Sequence, residues 1–259
     1  MEKISSFTLE GEGVEIDVEE CIAILKITKN AFVSLAKLEI GESFLKTIDK
    51  IGDDKDLKAI LIINTPGTYS EEAYTDFLSA VVGNDVPNIN LGEISALDRK
   101  TIVSREINVL GRIIMKKLET TKIIISALQG IVVTPFFGAS LSSDFRFASV
   151  GMSFSLTHIK YGLPPTGGIA FFLPRYIGQA RAVELLIRGG NIGAEKALEM
   201  GLINKIFAKE NFEENCIKEA KEICTIDPRA INLTQSCIYY FQDEFKKCID
   251  RERKLIQTY

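Results

Sequence analysis

The chain contains a single histidine, His158, and histidine is the side chain best suited to move a proton at neutral pH. An imidazole has an unperturbed pKa of about 6.5, so it can act as a general acid or a general base. A lone histidine can equally be a structural residue whose ring nitrogens are both hydrogen-bonded inside the fold. The sequence leaves both interpretations of His158 open.

Three further acid–base groups lie close together at Glu71, Glu72 and Tyr74. Carboxylates and phenols can transfer protons, but exposed glutamates are more often solvated surface charge. The serines do not lie in a G-x-S-x-G elbow, so a nucleophilic serine has little support. The sequence also lacks the H-E-x-x-H, P-loop and dinucleotide-binding patterns, which argues against a metal or a nucleotide cofactor.

The composition is that of a globular protein with a sizeable core, since 46% of the 259 residues are hydrophobic and 25% are charged. The net charge of -4 provides no positive field to attract nucleic acid. The basic pairs at 116–117 and 246–247 are interpreted as solvated helix faces. We therefore expect no nucleic-acid partner.

The cysteines and the apolar segments indicate where the protein resides. The five cysteines are scattered, odd in number and without a C-x-x-C pair, so neither a zinc site nor a disulfide framework is expected. No apolar run reaches the ~20 residues of a membrane span, and the polar first residues are unlike a signal peptide. These features predict a cytoplasmic protein without a membrane partner.

The elements that must position these groups follow from hydrophobic periodicity. Buried strands are predicted at 59–63 and 123–128, where the apolar runs are continuous, and a hairpin at 14–27. Helical spacing appears at 38–51 and 103–118, and the segment 83–97 is predicted to be an irregular, mobile loop. The later predicted elements are helices at 167–177, 179–188 and 194–200, a strand at 203–207 and three amphipathic helices to residue 259. This order predicts one α/β domain.

Several segments occur in the order and near the spacing of one known family. Residues 127–130 and 143–148 match its A-x-x-G … x-D-x-R-x-A pattern, and residues 161–178 match its L-G-x-x-P-x-x-G-G … L-x-R-x-x-G pattern. Residues 182–203 then match A-x-E-L-x-x-x-G … A-x-x-A-x-x-x-G-L-V. The chain therefore resembles the crotonase (enoyl-CoA hydratase/isomerase) superfamily. Residues 161–165 and 171–174 are most similar to the crotonase-like enzymes of polyketide β-branching.

The resemblance implies an architecture, an assembly and a ligand. It implies a ββα spiral core over residues 1–200, followed by a C-terminal strand and helices over residues 201–259 that pack onto neighbouring subunits, all within one continuous unit. It implies trimers, commonly paired as hexamers. The expected ligand is an acyl thioester of coenzyme A or of an acyl-carrier protein, which is a substrate, so no cofactor is expected.

In this family two backbone N–H groups form an oxyanion hole for the thioester oxygen, and donors of this kind contribute ~3–4 kcal/mol each. The family segment a-F-x-x-G-x-D corresponds to residues 68–74, which makes the N–H of Glu71 the first donor. Tyr69 then replaces the phenylalanine, Glu72 the glycine and Tyr74 the aspartate. Because Glu72 replaces a glycine, this turn has to form without the conformational freedom that glycine gives.

The second donor position falls on Pro135 when the sequence is counted back from Asp144. Proline has no N–H, so the donor role passes to Phe136 if the register shifts by one residue, and otherwise this half of the hole is damaged. Thr134 is predicted to be the N-cap of the following helix and Pro135 its first residue.

The two glutamates of the hydratases correspond, by the same count, to Gly138 and His158. Glycine cannot transfer a proton, so syn-hydration by a glutamate pair is excluded. The first hypothesis is therefore an enzyme that stabilises an enolate and needs at most one acid–base group, such as an isomerase, a decarboxylase or a lyase. The second is a binding or scaffold subunit that has lost the chemistry. A damaged hydratase with trace activity ranks third.

Overall fold

The computed structural model describes residues 13–36, 38–82 and 102–258. The strands in this part of the chain form a six-stranded sheet of order β1-β2-β3-β4-β6-β9 and a three-stranded sheet of order β5-β7-β8. Their bounds are β1 Val14–Glu19, β2 Ile22–Ile27, β3 Ala59–Asn64, β4 Ile123–Leu128, β5 Ile131–Val133, β6 Phe145–Ser149, β7 Ser153–Ser155, β8 Asn191–Gly193 and β9 Lys205–Phe207. In the larger sheet β1 is antiparallel to β2 and the other pairs are parallel.

Helices precede, connect and follow these strands. Their bounds are α1 Ala31–Ala36, α2 Leu38–Asp53, α3 Glu71–Val82, α4 Ile102–Glu119, α5 Thr134–Leu141, α6 Ile169–Ile177, α7 Gln179–Arg188, α8 Ala194–Glu199, α9 Phe212–Ile223, α10 Pro228–Ile238 and α11 Gln242–Thr258. A 3-10 helix, Thr157–Tyr161, follows β7. The helices and strands that were predicted from sequence patterns lie within two residues of their observed bounds, and the predicted loop at 83–97 lies outside the described residues.

Both faces of the larger sheet are covered, which explains the continuous apolar runs of its central strands. In β3, Ala59, Leu61 and Ile63 face α9, where they pack with Phe212 and its neighbours. Ile60 faces the opposite side, where the principal core includes residues of α2 and α4. The same alternation in β4 puts the polar Ser126 on the side of the principal core.

A repeated ββα order of elements connects the two sheets and leads to the candidate site. Strand β4 lies in the larger sheet, β5 lies in the smaller one, and α5 follows β5 directly. The chain then repeats this path through β6 and β7 and ends in the 3-10 helix. As a result, the beginning of α5 and the end of β7 come together, since β5 and β7 pair in parallel with Val133 opposite Ser155.

The C-terminal segment adds to the same architecture. Strand β9 pairs with β6 in the larger sheet, and α11 packs against α4 and α6. The division of the chain at residue 200 stays a prediction. Among the helices that the structure describes, none has the length and apolar character needed to cross a bilayer.

Candidate active site

The first candidate donor lies at the beginning of α3. Ser70 precedes this helix, and its Oγ accepts a hydrogen bond of 3.1 Å from the N–H of Ala73. This is the geometry of an N-cap serine, which makes Glu71 the first helical residue. The N–H of Glu71 therefore belongs to the first-turn groups that have no acceptor within the helix.

The second candidate donor lies at the beginning of α5, one residue away from the predicted boundary. Val133 is the N-cap, so Thr134 is already helical and the prediction that Thr134 caps the helix is wrong. The hydroxyl of Thr134 is used elsewhere, 3.0 Å from Nδ1 of His158 and 3.3 Å from the carbonyl oxygen of Ser155. Pro135 lies in the first turn, where a missing N–H breaks no helical bond.

The two helix starts are held side by side. The N–H of Val133 donates to the carbonyl oxygen of Tyr69 at 3.0 Å. The rings of Tyr69 and Phe136 stack with centroids 4.0 Å apart and planes 12° from parallel. Phe136 is the third residue of α5, so its N–H, like that of Glu71, lacks an acceptor within the helix. The positive ends of two helix dipoles thus lie at one place, an arrangement that attracts anionic oxygen.

The side chain of Glu71 is already engaged. Its carboxylate accepts hydrogen bonds from Oγ of Ser155 at 2.6 Å and from Nζ of Lys160 at 2.8 Å. Partial burial raises the pKa of Glu71, but the bonds from Lys160 and Ser155 outweigh it and hold the pKa below its usual value. Glu71 is therefore ionised at neutral pH and paired with a cation.

Glu72 and Tyr74 lie on different sides of α3, one exposed and one buried. The side chain of Glu72 is exposed, whereas Tyr74 is only 7% exposed. The ring of Tyr74 lies 4.9 Å from that of Phe32 and 5.6 Å, edge to face, from that of Tyr161. Tyr74 therefore packs α3 against its neighbours, while Glu72 faces solvent.

His158 is buried, and both of its ring nitrogens have partners. Nε2 lies 3.1 Å from the carbonyl oxygen of Leu186, which can only accept, so Nε2 carries the proton. Nδ1 then accepts from the hydroxyl of Thr134. Burial lowers the pKa of His158 despite the opposing bond to Leu186, so the imidazole is neutral at pH 7. This bonding favours the structural interpretation of His158, and its catalytic role stays a prediction.

The position of the first family glutamate has no room for a side chain. A Cβ on Gly138 would lie 2.5 Å from the carbonyl oxygen of Gly167 and 2.7 Å from the nitrogen of Ile169. Gly167 is packed as closely, since its own Cβ would collide with the carbonyl oxygen of Pro135. The backbone between β7 and α6 thus fills the space that a glutamate would need.

One residue near the site was missed by the sequence interpretation. Lys117 was assigned to a solvated helix face, but it is 6% exposed, and its Nζ donates to the carbonyl oxygen of Ala139 at 2.8 Å. A signal was present in the sequence: Lys117 follows Leu110 by seven residues and Ile113 by four, which places it on the apolar stripe of α4. The lysine pair at 116–117 had obscured that spacing.

Lys117 lines a cavity between the larger sheet and α1, α2, α4 and α5. The cavity is also lined by Tyr69, which lies two residues before α3, and by Phe136 in the first turn of α5. Most of the remaining wall is apolar, and it includes Val14, Ile27, Leu35, Ile40, Phe44, Ile62, Leu110, Ile113 and Leu128. An apolar cavity beside two convergent N–H groups can hold an acyl group whose carbonyl oxygen lies at the donors.

No metal centre competes with this site within residues 13–36, 38–82 and 102–258. In that part of the chain, His, Cys, Asp and Glu side chains form no group that could hold a metal ion. The five cysteines are all free thiols.

Fold and site together define the class: an α/β protein of repeated ββα units with a candidate anion site at two adjacent helix N-termini. The sequence profile of the Enoyl-CoA hydratase/isomerase family matches residues 93–258, more than half of the chain, so the chain belongs to this family of crotonase-type proteins. The resemblance and the fold class inferred from sequence are confirmed.

Curated relatives and solved structures are similar over most of their length. The short-chain-enoyl-CoA hydratase of Clostridium acetobutylicum is 23% identical over 231 residues, which are 89% of this chain and 82% of that protein. The trans-2-decenoyl-[acyl-carrier-protein] isomerase of Streptococcus mutans is 28% identical over 198 residues, which are 76% of this chain and 70% of that protein. The crystal structure of an enoyl-CoA hydratase from Bacillus halodurans shares the fold, with a TM-score of 0.77, 20% identity and coverage of 95% and 94% of the two chains.

Proposed function

We propose that this chain binds an acyl thioester of coenzyme A or of an acyl-carrier protein and stabilises its enolate. The thioester oxygen lies between the N–H groups of Glu71 and Phe136, and the acyl group enters the adjoining cavity. The observation that carries the proposal is the hydrogen bond from Val133 to Tyr69, which holds the starts of α3 and α5 together. Two unsatisfied helix N-termini favour an oxyanion more than a neutral carbonyl, which is the requirement for catalysis.

The reaction is an isomerisation, a decarboxylation or a C–C cleavage. Hydration by two glutamates does not fit, because backbone occupies the space beside Gly138. An isomerase relative at 28% identity supports a reaction that moves a proton without adding water. His158 is the proposed proton carrier, and its use requires the bond from Thr134 or the bond to Leu186 to open.

The alternative function is a binding or scaffold subunit. Two observations favour it: His158 has a partner at each nitrogen, and the Glu71 carboxylate is paired with Lys160. A subunit of this kind keeps the thioester site and has no turnover. It differs from the enzyme only in chemistry, so binding and turnover must be measured separately.

A thermal-shift titration with free coenzyme A, acetoacetyl-CoA, several enoyl-CoAs and an acyl-carrier protein loaded with the same acyl groups tests the proposal. A ligand at 100 times its Kd adds about 2.7 kcal/mol to the free energy of unfolding, which raises the Tm of a chain of this length by several degrees. We expect a shift with acyl thioesters that exceeds the shift with free coenzyme A. A flat response to the whole panel contradicts a thioester site.

Turnover of the bound ligands then separates the two functions. Proton NMR of each thioester in deuterated buffer detects exchange or double-bond migration at the α-carbon. Exchange that His158→Gln abolishes while binding persists supports the enzyme. Binding without exchange for every thioester supports the scaffold subunit.

A further inference from the structure

Lys117 places a cation at the wall of the cavity with most of its hydrogen-bonding capacity unused. The side chain projects from α4, and among the described residues its ammonium group has one hydrogen-bond partner, the carbonyl oxygen of Ala139. An ammonium has three N–H donors, so two remain. No carboxylate in the part of the chain that the structure describes forms an ion pair with it, and a buried cation without an anion is costly.

The charged groups that act on Lys117 do not provide it with a paired anion. Burial is the main cause that lowers the pKa of Lys117 to about 7, Arg146 lowers it further, and Asp144 opposes both. Asp144 is already committed, because its oxygens accept from the N–H of Ile124 at 2.7 Å and the hydroxyl of Tyr239 at 2.7 Å. An anion that entered the cavity would therefore meet a group that readily takes a proton at neutral pH.

Tyr69 brings a second hydrogen-bond donor to the wall of the same cavity. It is 8% exposed, and within the described residues its hydroxyl has no hydrogen-bond partner. The serines that line the cavity are different, since Ser126 bonds to Ser143 and Ser140 bonds to the carbonyl oxygen of Phe137. The walls are otherwise mainly apolar. Tyr69 and Lys117, which have donor N–H or O–H groups without an acceptor among the described residues, therefore define what the cavity can recognise.

The spacing along α5 relates Lys117 to the oxyanion site. Ala139 follows Phe136 by three residues, and the helix rises about 1.5 Å per residue. Adding the length of the Ala139 C=O bond and of its hydrogen bond to Lys117 places the ammonium on the order of 10 Å from the Phe136 N–H. An extended chain advances about 1.2 Å per bond, so roughly eight bonds span this distance.

We propose that the cavity accepts an acyl group that ends in a carboxylate, with the carboxylate paired to Lys117 at the far wall. The inference rests on the proposed function, because it places the thioester end of the same ligand at Glu71 and Phe136. The apolar walls hold the methylene chain, and the ammonium offsets the cost of burying the carboxylate. The substrate class is thus the mono-thioesters of medium-length dicarboxylic acids.

The test compares suberoyl-CoA with octanoyl-CoA, which have equal chain length and differ only in the terminal group. Isothermal titration at pH 7 measures both Kd values for the native chain, for Lys117→Met and for Lys122→Met. Lys122 is the matched control, since it is 8% exposed, bonds to the carbonyl oxygens of Asp54 and Leu57, and does not line the cavity. Methionine keeps the length of the side chain and removes its charge.

We expect Lys117→Met to weaken suberoyl-CoA binding roughly 10- to 100-fold, as for a lost hydrogen bond to a charged group, and to leave octanoyl-CoA unchanged or tighter. Lys122→Met should change neither Kd. Equal effects of Lys117→Met on both thioesters, or none, overturn the inference and leave Lys117 as a cation at the C-terminal end of α5. Octanoyl-CoA binding would persist in that case and keep the proposed function. If neither thioester binds, the proposed function fails and this inference fails with it.

Discussion

At the scale of single residues, Gly138 decides which reaction the site cannot perform. The missing glutamate is more than a lost side chain, because the backbone of residues 167–169 occupies its space. Restoring the side chain should therefore not restore the chemistry. The sequence predicted the loss of the hydratase pair from residue type, and the close approach of α6 explains why a single substitution cannot reverse it.

We expect Gly138→Glu to show no hydration of crotonyl-CoA. We expect Gly138→Ala to lower the free energy of unfolding by about 1–3 kcal/mol, because its Cβ overpacks the contact. Gly52→Ala is the control, because Gly52 is also helical and its Cβ would meet only Oγ1 of Thr120 at 3.6 Å. That substitution should be neutral or stabilise by up to about 1 kcal/mol. Urea denaturation and a hydratase assay measure both effects. Stable, hydrating Gly138→Glu would contradict the packing described for this position.

The buried amine of Lys117 gives a pH dependence with a defined sign. Its pKa is about 7 in the folded protein and near 10.5 when unfolded, so between these values the unfolded chain binds more protons. The free energy of unfolding should therefore rise with pH above 7, by up to about 1.4 kcal/mol per pH unit from this group. Denaturation at pH 7.0 and at about pH 7.8, below the pKa of about 8.5 of cysteines in the unfolded chain, should show a smaller rise in Lys117→Met. Equal slopes for the two proteins would mean that Lys117 titrates normally.

At the scale of elements, the candidate site depends on the contact between the start of α5 and the turn before α6. Gly167 makes this contact possible, since it has a φ of +74° and its Cβ would collide with the carbonyl oxygen of Pro135. A side chain there would displace α5 and with it the N–H of Phe136. The position therefore combines a conformational and a packing requirement for glycine.

Gly201→Ala separates these two requirements. Gly201 has a φ of +72° and nothing within 4 Å of its Cβ, so alanine there should cost only the left-handed conformation, about 1–2 kcal/mol. We expect Gly167→Ala to cost that amount and at least about 1–3 kcal/mol more, and to abolish acyl-CoA binding. Chemical denaturation compares the two variants. If they lose equal stability, α5 and the 167–168 turn are not in close contact.

Element prediction from sequence succeeded where one physical signal dominates. The apolar runs of β3 and β4 reflect burial on both faces, and the spacing in α2 and α4 reflects one buried face. The start of α5 was placed one residue too late, because Thr134 forms a bond to His158 across the fold in place of a cap. That bond joins residues 24 positions apart, and local patterns carry no information about it.

The same limit applies to the site. Glu71 and Phe136 were predicted as donors only because the chain resembles a family with known donor positions. The pairing of Glu71 with Lys160 spans 89 residues, and the bond of His158 to Leu186 spans 28, so neither could be inferred from residue types. Lys117 could have been found from its place on the apolar stripe of α4.

At the scale of the whole molecule, the described residues of a single chain leave α10 uncovered on the surface. The helix contains no buried residue, and Leu233 and Ile238 are 61% and 52% exposed. The neighbouring Tyr240 is 82% exposed. Exposed apolar residues at this density are typical of an interface, and the family resemblance implies trimers or pairs of trimers.

We expect light scattering to give three or six times the 28.8 kDa mass of the chain. Leu233→Glu should shift the mass towards the monomer, because a charge is costly in an apolar interface. Lys55→Glu, on an exposed loop residue outside this surface, is the control and should leave the mass unchanged. A native chain that is monomeric at micromolar concentration would exclude this assembly.

We propose above all that the backbone N–H of Glu71 holds a developing oxyanion. The affinity of Glu71→Pro and Glu71→Ala for the acetoacetyl-CoA enolate tests this proposal most directly. Proline suits the first helical position and removes the N–H, while both variants lack the carboxylate. Kd values from the ultraviolet difference spectrum of the enolate should be about 10- to 100-fold weaker for Glu71→Pro than for Glu71→Ala, as for one lost bond to a charged group. Equal Kd values in two folded variants would contradict the claim.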